Sequence, residues 1–215
     1  MAAFSLQTYK HINTGEGGLL VSNDKQMMAK AIMHSGSYML YERHGAAPEA
    51  EAFKDIRYTS PNMSGRMDNM RATLALAQLP HLEENCQRWN RRYDLLAEQL
   101  AKVPGLYIPP RHADEAYVGS SIQFMAQGIA LAHLPDFVQA CAKRGVELKW
   151  FGEAEPKAFT SRYDSWHYVE PQHLPNTLAV LEKTLDMRVP LTFDLADCQL
   201  LADIIADVCG DFVQQ

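Results

Sequence analysis

The most regular alternation of apolar and polar positions runs from Leu82 to Val103. There Leu82, Cys86, Trp89, Tyr93, Leu96, Leu100 and Val103 recur at steps of four and three. A helix turns once every 3.6 residues, so these steps hold one stripe against a partner surface and predict a helix over 81–103. Pro80 separates it from a preceding helix over 66–79, because a proline inside a helix removes a hydrogen bond and costs ~3 kcal/mol. Nearer the N-terminus, "GLLVSND" is a short apolar run closed by turn residues. "NDKQMMAKAIMHSG" then gives an N-cap, a helical spread of Met27, Met28, Ala31 and Ile32, and a terminating glycine. Residues 36–65 hold no period and many loop formers, and predict a long irregular connection. Beyond "VPG" the rhythm shortens. "LYIPP", "YVGSSIQFMAQG" and "VELKW" read as strands around a helix over 134–144, an α+β unit. The end of the chain, "DMRVPLTFDLADCQLLADIIADVCGDF", predicts a strand, a cap at Asp194, and a helix burying Leu200, Leu201, Ile204, Ile205 and Val208. The stretch 151–173 shows no readable pattern.

Composition changes this picture little. An apolar fraction of 47% with 21% charged residues over 215 residues describes a folded chain with room for one large domain or two small ones. A net charge of -6 opposes a sequence-independent grip on nucleic acid or anionic lipid. No run approaches a membrane span and no signal pattern opens the chain, so the cytoplasm is the expected compartment. Cys86, Cys141, Cys198 and Cys209 stand far apart and read as reduced core thiols rather than a zinc cradle or a disulfide framework.

The chemistry concentrates in "FSLQTYKHINTGEGGLLVSND", where Lys10 lies between Ser5 and a glycine-rich turn. Taken alone, Lys10 reads first as a surface loop residue, and Gly15, Gly17 and Gly18 equally as an ordinary hairpin turn. "TGEGG" lacks the order of a phosphate-cradling Walker loop. His167 and His173 in "HYVEPQH" lack a third ligand, so no metal is expected.

Read together, the lysine segment, "RMDNMRATLALAQL" and "HLPNTLAVLEKTLDMRVPLTFDLADCQLLADII" resemble the DegT/StrS family of pyridoxal-phosphate-dependent aminotransferases. The likeness runs nearly end to end and is to the C-terminal part of such enzymes. It implies an α/β fold, a partial PLP-dependent transferase of the aspartate aminotransferase-like fold type I. Residues 1–88 would be the remnant of the cofactor-binding large domain and 89–215 the small C-terminal α+β domain. In the family, F-S-x-x-x-x-K followed by T-x-G-E-G-G carries the Schiff-base lysine, here Lys10, and Ser5 falls at a phosphate contact. A lysine amine can condense with the cofactor aldehyde, leave when the substrate amine arrives, and then carry a proton between two carbons. At its ordinary pKa of ~10.4 it would be a poor base, so burial is expected at the site.

The resemblance also implies that "SPNMSGRMDNM" reaches the active site of a neighbouring subunit, with Asn62, Ser64 and Arg66 as candidates for the cofactor phosphate. The family shows N-Y-R-M or a close variant, whereas "NMSGRM" sets the asparagine two positions further out. Arg66 also reads as a helix-start arginine paired with a local carboxylate. The implied substrates are glutamate or glutamine as amino donor and a keto sugar or cyclitol as acceptor. The family's ring-nitrogen aspartate, stacking aromatic and phosphate turn all precede the lysine. Two expectations follow: an aminotransferase working as a homodimer or with a chain carrying the N-terminal half, or an inactive fragment acting as a dimerisation or regulatory module. Either form is expected to associate.

Overall fold

A computed structural model describes residues 1–37, 39–155, 167–170 and 172–213. The chain divides into unit 1, Met1–Glu83, and unit 2, Glu84–Gln215. Unit 1 opens with a hairpin in which β1 (Ala2–Ser5) and β2 (Gly18–Val21) run antiparallel, Ala2 opposite Val21 and Ser5 opposite Gly18. All eight strand residues are exposed. Helix α1 (Lys25–Ser35) starts where the Asp24 carboxylate accepts the N–H groups of Gln26 and Met27, as an N-cap should. It stops at Gly36, whose left-handed φ of 102° is open to a residue without a Cβ.

The helical spread expected around Met27 and Met28 is shifted: Ala29, Ile32 and Met33 are the buried residues. They pack with Ala52, Phe53 and Ile56, and the Tyr41 ring lies 4.6 Å from that of Phe53. The connection 36–65 holds only short helical turns, including α2 (Ile56–Thr59). Helix α3 (Asn69–Gln78) is capped by Asp68, which accepts the Arg71 N–H and pairs with its guanidinium. Pro80 sits in a single 3₁₀ turn, Leu79–His81, and α4 (Leu82–Leu100) follows, so the break predicted at the proline is present. A second small cluster in unit 1 joins Leu6, Ile12 and Ala75 with Met67 and Leu82.

Unit 2 is built on an antiparallel sheet of order β3 (Ser121–Met125), β5 (Thr184–Arg188), β4 (Lys149–Trp150). Its core draws Tyr93, Leu96 and Leu100 from α4, and Phe137 and Cys141 from α5 (Leu134–Lys143). Cys198, Ala202 and Ile205 come from α7 (Leu195–Val213). A short helix, α6 (Pro175–Leu181), leads into β5. Arg92 is buried in this unit and donates to the carbonyls of Phe193 at 2.6 Å, Arg88 at 2.8 Å and Leu191 at 3.5 Å.

Three expectations are corrected here. "LYIPP" is not a strand; Tyr107 alone bridges to Met125. "VELKW" is reduced to the two residues of β4. Leu200 is 58% exposed, because the stripe through Cys198, Ala202, Ile205 and Cys209 repeats at the helical period and Leu200 stands roughly 160° around the helix from it.

Candidate functional site

The hairpin of unit 1 carries Lys10 on the loop between its strands. Backbone bonds lace that loop shut: Leu6 N–H to Gly17 O at 2.9 Å, Thr8 N–H to Gly15 O at 2.9 Å, and Thr14 N–H to Leu6 O at 2.8 Å. The Lys10 N–H closes a turn on Gln7 O at 3.1 Å, and the Thr8 hydroxyl donates to Gly15 O at 3.1 Å. Buried Thr14 has its hydroxyl committed to Glu16 O at 2.8 Å. Leu6 and Ile12 turn inward as buried anchors on either side of the exposed lysine. Tyr9, immediately before it, holds φ at 75°, a left-handed conformation that costs an L-residue about 1–2 kcal/mol. Such strain persists where surrounding bonds determine the backbone, as they do here. Gly17 has a steric role. At φ 135°, a Cβ built on it would lie 2.6 Å from Met67 Cε.

Ser5 stands exposed at the end of β1, its Oγ accepting the Gln7 N–H at 3.3 Å. Its hydroxyl keeps an O–H donor of the kind that a phosphate oxygen accepts. The third and fourth candidates form a second group. Met63 N–H donates to His34 O at 3.0 Å, and the Asn62 carboxamide oxygen takes the Ser64 N–H at 2.8 Å, with Ser64 at φ 51°. A Cβ on Gly36 would collide with the Arg66 guanidinium and approach the Asn62 oxygen at 3.1 Å, so this glycine makes room for both. Gly36, Ser37, Met39, Leu40 and Arg66 line a shallow hollow of about 280 Å³. Among the described residues the carboxylate-paired arginine at the start of α3 is Arg71, with Asp68, and no carboxylate pairs with Arg66.

The structure therefore brings Lys10 together with Ser5 on one hairpin, and Asn62 together with Arg66 at the end of α1. What ties the two segments is Met67, which follows Arg66, lies on Gly17 and joins Leu6, Ile12 and Ala75. An amine for an aldehyde, with a hydroxyl and a guanidinium for a phosphate, is the donor set pyridoxal 5'-phosphate requires, and these residues fit it as far as they go. The burial expected around the lysine is not supplied by the described residues. His167 and His173 are both exposed, and among the described residues no group of three ligating side chains could hold a metal ion. Burial pushes the Cys141 thiol up to about 12 and that of Cys209 to about 11, which leaves these two inert.

Sequence reading missed the braces of the loop, Thr14, Met67 and Gln78. The Gln78 side chain reaches back to Asn13 at 3.0 and 2.8 Å. The one available signal was a polar side chain interrupting the apolar run "LALAQL".

This arrangement, a lysine-bearing hairpin followed by linking helices and an α+β unit, shares the fold of about half of the chain in solved aminotransferases of fold type I. The chain belongs to the DegT/DnrJ/EryC1/StrS aminotransferase family, whose model matches residues 1–206. Among solved structures it is similar to the aminotransferase TlmJ from Streptoalloteichus hindustanus, with a TM-score of 0.74 and 16% identity. That match covers 97% of this chain and 52% of the other. It is also similar to the sugar aminotransferase CalS13 from Micromonospora echinospora, with a TM-score of 0.71, 14% identity, and coverage of 95% and 51%. A curated relative, Protein MosB from Rhizobium meliloti, is 28% identical over 57% of this chain and 25% of its own length. The chain thus spans about half the length of the solved structures it matches and a quarter of that relative. Among the described residues no helix is long and apolar enough to cross a membrane.

Proposed function

We propose that this chain is the lysine-bearing and C-terminal portion of an enzyme that transfers an amino group from glutamate or glutamine to a keto sugar. Pyridoxal 5'-phosphate would attach at Lys10, with Ser5, Asn62 and Arg66 donating to its phosphate. The observation that carries the reading is the position of Lys10, exposed between the buried anchors Leu6 and Ile12 on a loop whose backbone is laced on both sides. The cofactor supplies an aldehyde for amines and a ring that takes up the electron pair left when a proton leaves the neighbouring carbon.

The chain's own part is narrower. Ser5 and Arg66 hold negative charge, and the laced loop keeps the Lys10 amine at one height above the hairpin. The same amine, when free, would serve as the base that takes a proton from one carbon and returns it to another. Family membership and the likeness to CalS13, a sugar aminotransferase, support a sugar as the acceptor. Exposed Met70, Leu74 and Leu76 on α3, with exposed Phe4 and Val21 on the hairpin, support association as a homodimer or with a chain carrying the N-terminal half. The buried thiols Cys141, Cys198 and Cys209 favour a reducing compartment such as the cytoplasm.

The test is spectroscopic. Added pyridoxal phosphate is expected to give the protein a visible absorbance band that glutamate then bleaches, and Lys10→Ala is expected to lose it. A wild-type chain that associates but develops no band would overturn the enzymatic reading in favour of a dimerisation module.

A further inference from the structure

Gln78, the last residue of α3, is half-buried and spends its whole carboxamide on two backbones. Its Oε1 accepts the Asn13 N–H at 3.0 Å, while Nε2 donates to Asn13 O at 2.8 Å and to Leu74 O at 2.9 Å. The bond to Leu74, one turn back on its own helix, orients the amide plane. The other two bonds grip the N–H and C=O of a single loop residue. Only an amide offers a donor and an acceptor side by side in this way; a carboxylate only accepts and a thioether does almost neither. The neighbouring Ile12 is buried against Ala75, three residues before Gln78 on α3. Two consecutive loop residues, Ile12 and Asn13, are therefore fixed to one face of one helix, just beyond Lys10.

We infer that Gln78 is a positioning residue for Lys10: its carboxamide clamps the downstream limb of the loop to α3 and so sets where the lysine amine stands. The inference rests on the reading of Lys10 as the attachment point. The upstream limb is hydrogen-bonded to its own hairpin, through the rungs from Leu6 and Thr8, and meets α3 by the apolar packing of Leu6 with Ala75. Without Gln78 the loop would keep only the apolar packing of Leu6 and Ile12 on α3, which is non-directional, and a two-stranded ribbon, which is marginal by itself. A reactive group is precise when the element behind it is rigid, and here the rigid element is a helix.

Two measurements on the chain separate the clamp from the chemistry. Hydrogen exchange of the Asn13 amide reads the clamp alone. Titration with pyridoxal phosphate, followed by the visible band, reads the amine. In Gln78→Met, which keeps length and loses both bonds, Asn13 exchange is expected to quicken and half-saturation to rise about tenfold, the loss of roughly one net hydrogen bond. Gln78→Glu, which can still accept the Asn13 N–H, is expected to fall between, and it serves if Gln78→Met fails to fold.

Unchanged Asn13 exchange in Gln78→Met would overturn the clamp. Faster exchange with unchanged half-saturation would overturn its connection to Lys10. A wild-type chain with no band would sink the Lys10 reading and this inference with it, while the exchange data still reported whether Gln78 braces the loop.

Discussion

Among the described residues, unit 2 gathers twenty buried side chains into a single cluster around its sheet, with Phe124, Phe137, Leu96 and Ile205 wholly enclosed. Unit 1 divides nine between two clusters, and its hairpin has no buried residue in either strand. The first is a domain whose sequence provides both faces of its core. The second holds its local structure by hydrogen bonds, caps and a few apolar anchors, and it is the one that carries Lys10, Ser5, Asn62 and Arg66. A reactive loop can thus be shaped in detail by polar lacing while the sheet beneath it remains thinly covered. The lacing fixes geometry, and burial supplies most of the stability.

The largest expected effect breaks that comparison at the well-packed end. Phe124→Ala removes a fully buried ring from β3 and should cost unit 2 about 3–5 kcal/mol. Urea denaturation followed by tryptophan fluorescence should show that loss in the transition of unit 2, with exchange in the hairpin amides unchanged. Equal destabilisation of both units would mean that they unfold together and that the contrast has no energetic content.

An intermediate effect sharpens the comparison through pH. The Tyr117 hydroxyl donates to Asp94, and this bond, with burial, pushes its pKa from 10.0 to about 12. Burial raises the Cys141 and Cys209 thiols from 9.0 to about 12 and about 11. A raised pKa means that the folded chain holds the proton more tightly than the unfolded one, so this stabilisation is complete below pH 9 and is lost as pH climbs toward 12. Melting temperatures of unit 2 should fall across that window, and Tyr117→Phe should flatten the part above pH 10.0. A profile rising with pH would contradict the burial assigned to these groups.

The smallest effect lies on the hairpin. Phe4 is 55% exposed, so Phe4→Thr should change the stability of the isolated chain by no more than about 0.5 kcal/mol while reducing its tendency to associate. Light scattering and a thermal melt check both halves of that statement. A large loss of stability would show that the hairpin face is covered after all.

Much of the fold was legible because it is periodic or punctuated. The stripe of α4, the break at Pro80, the cap at Asp24 and the left-handed stop at Gly36 are local signals, each acting within a turn or two. Short strands were not: two residues at Lys149 and Trp150 satisfy a sheet register without making a pattern, and the apolar appearance of Leu200 says nothing about which side of α7 it occupies. The site divides the same way. Lys10 and its glycines stood out only through likeness to a family. The contact that steadies the loop joins Asn13 to Gln78, 65 residues apart, and beyond the polar break at Gln78 in "LALAQL" nothing in the spacing names its partner.

The account stands on one covalent attachment. Incubating the chain with pyridoxal phosphate, fixing the product with borohydride and mapping the peptides by mass spectrometry reads it directly. The expected result is a single dominant label on Lys10, far above exposed lysines such as Lys30 and Lys54. Label spread over the surface lysines in proportion to their exposure, with Lys10 no different from the rest, would contradict it.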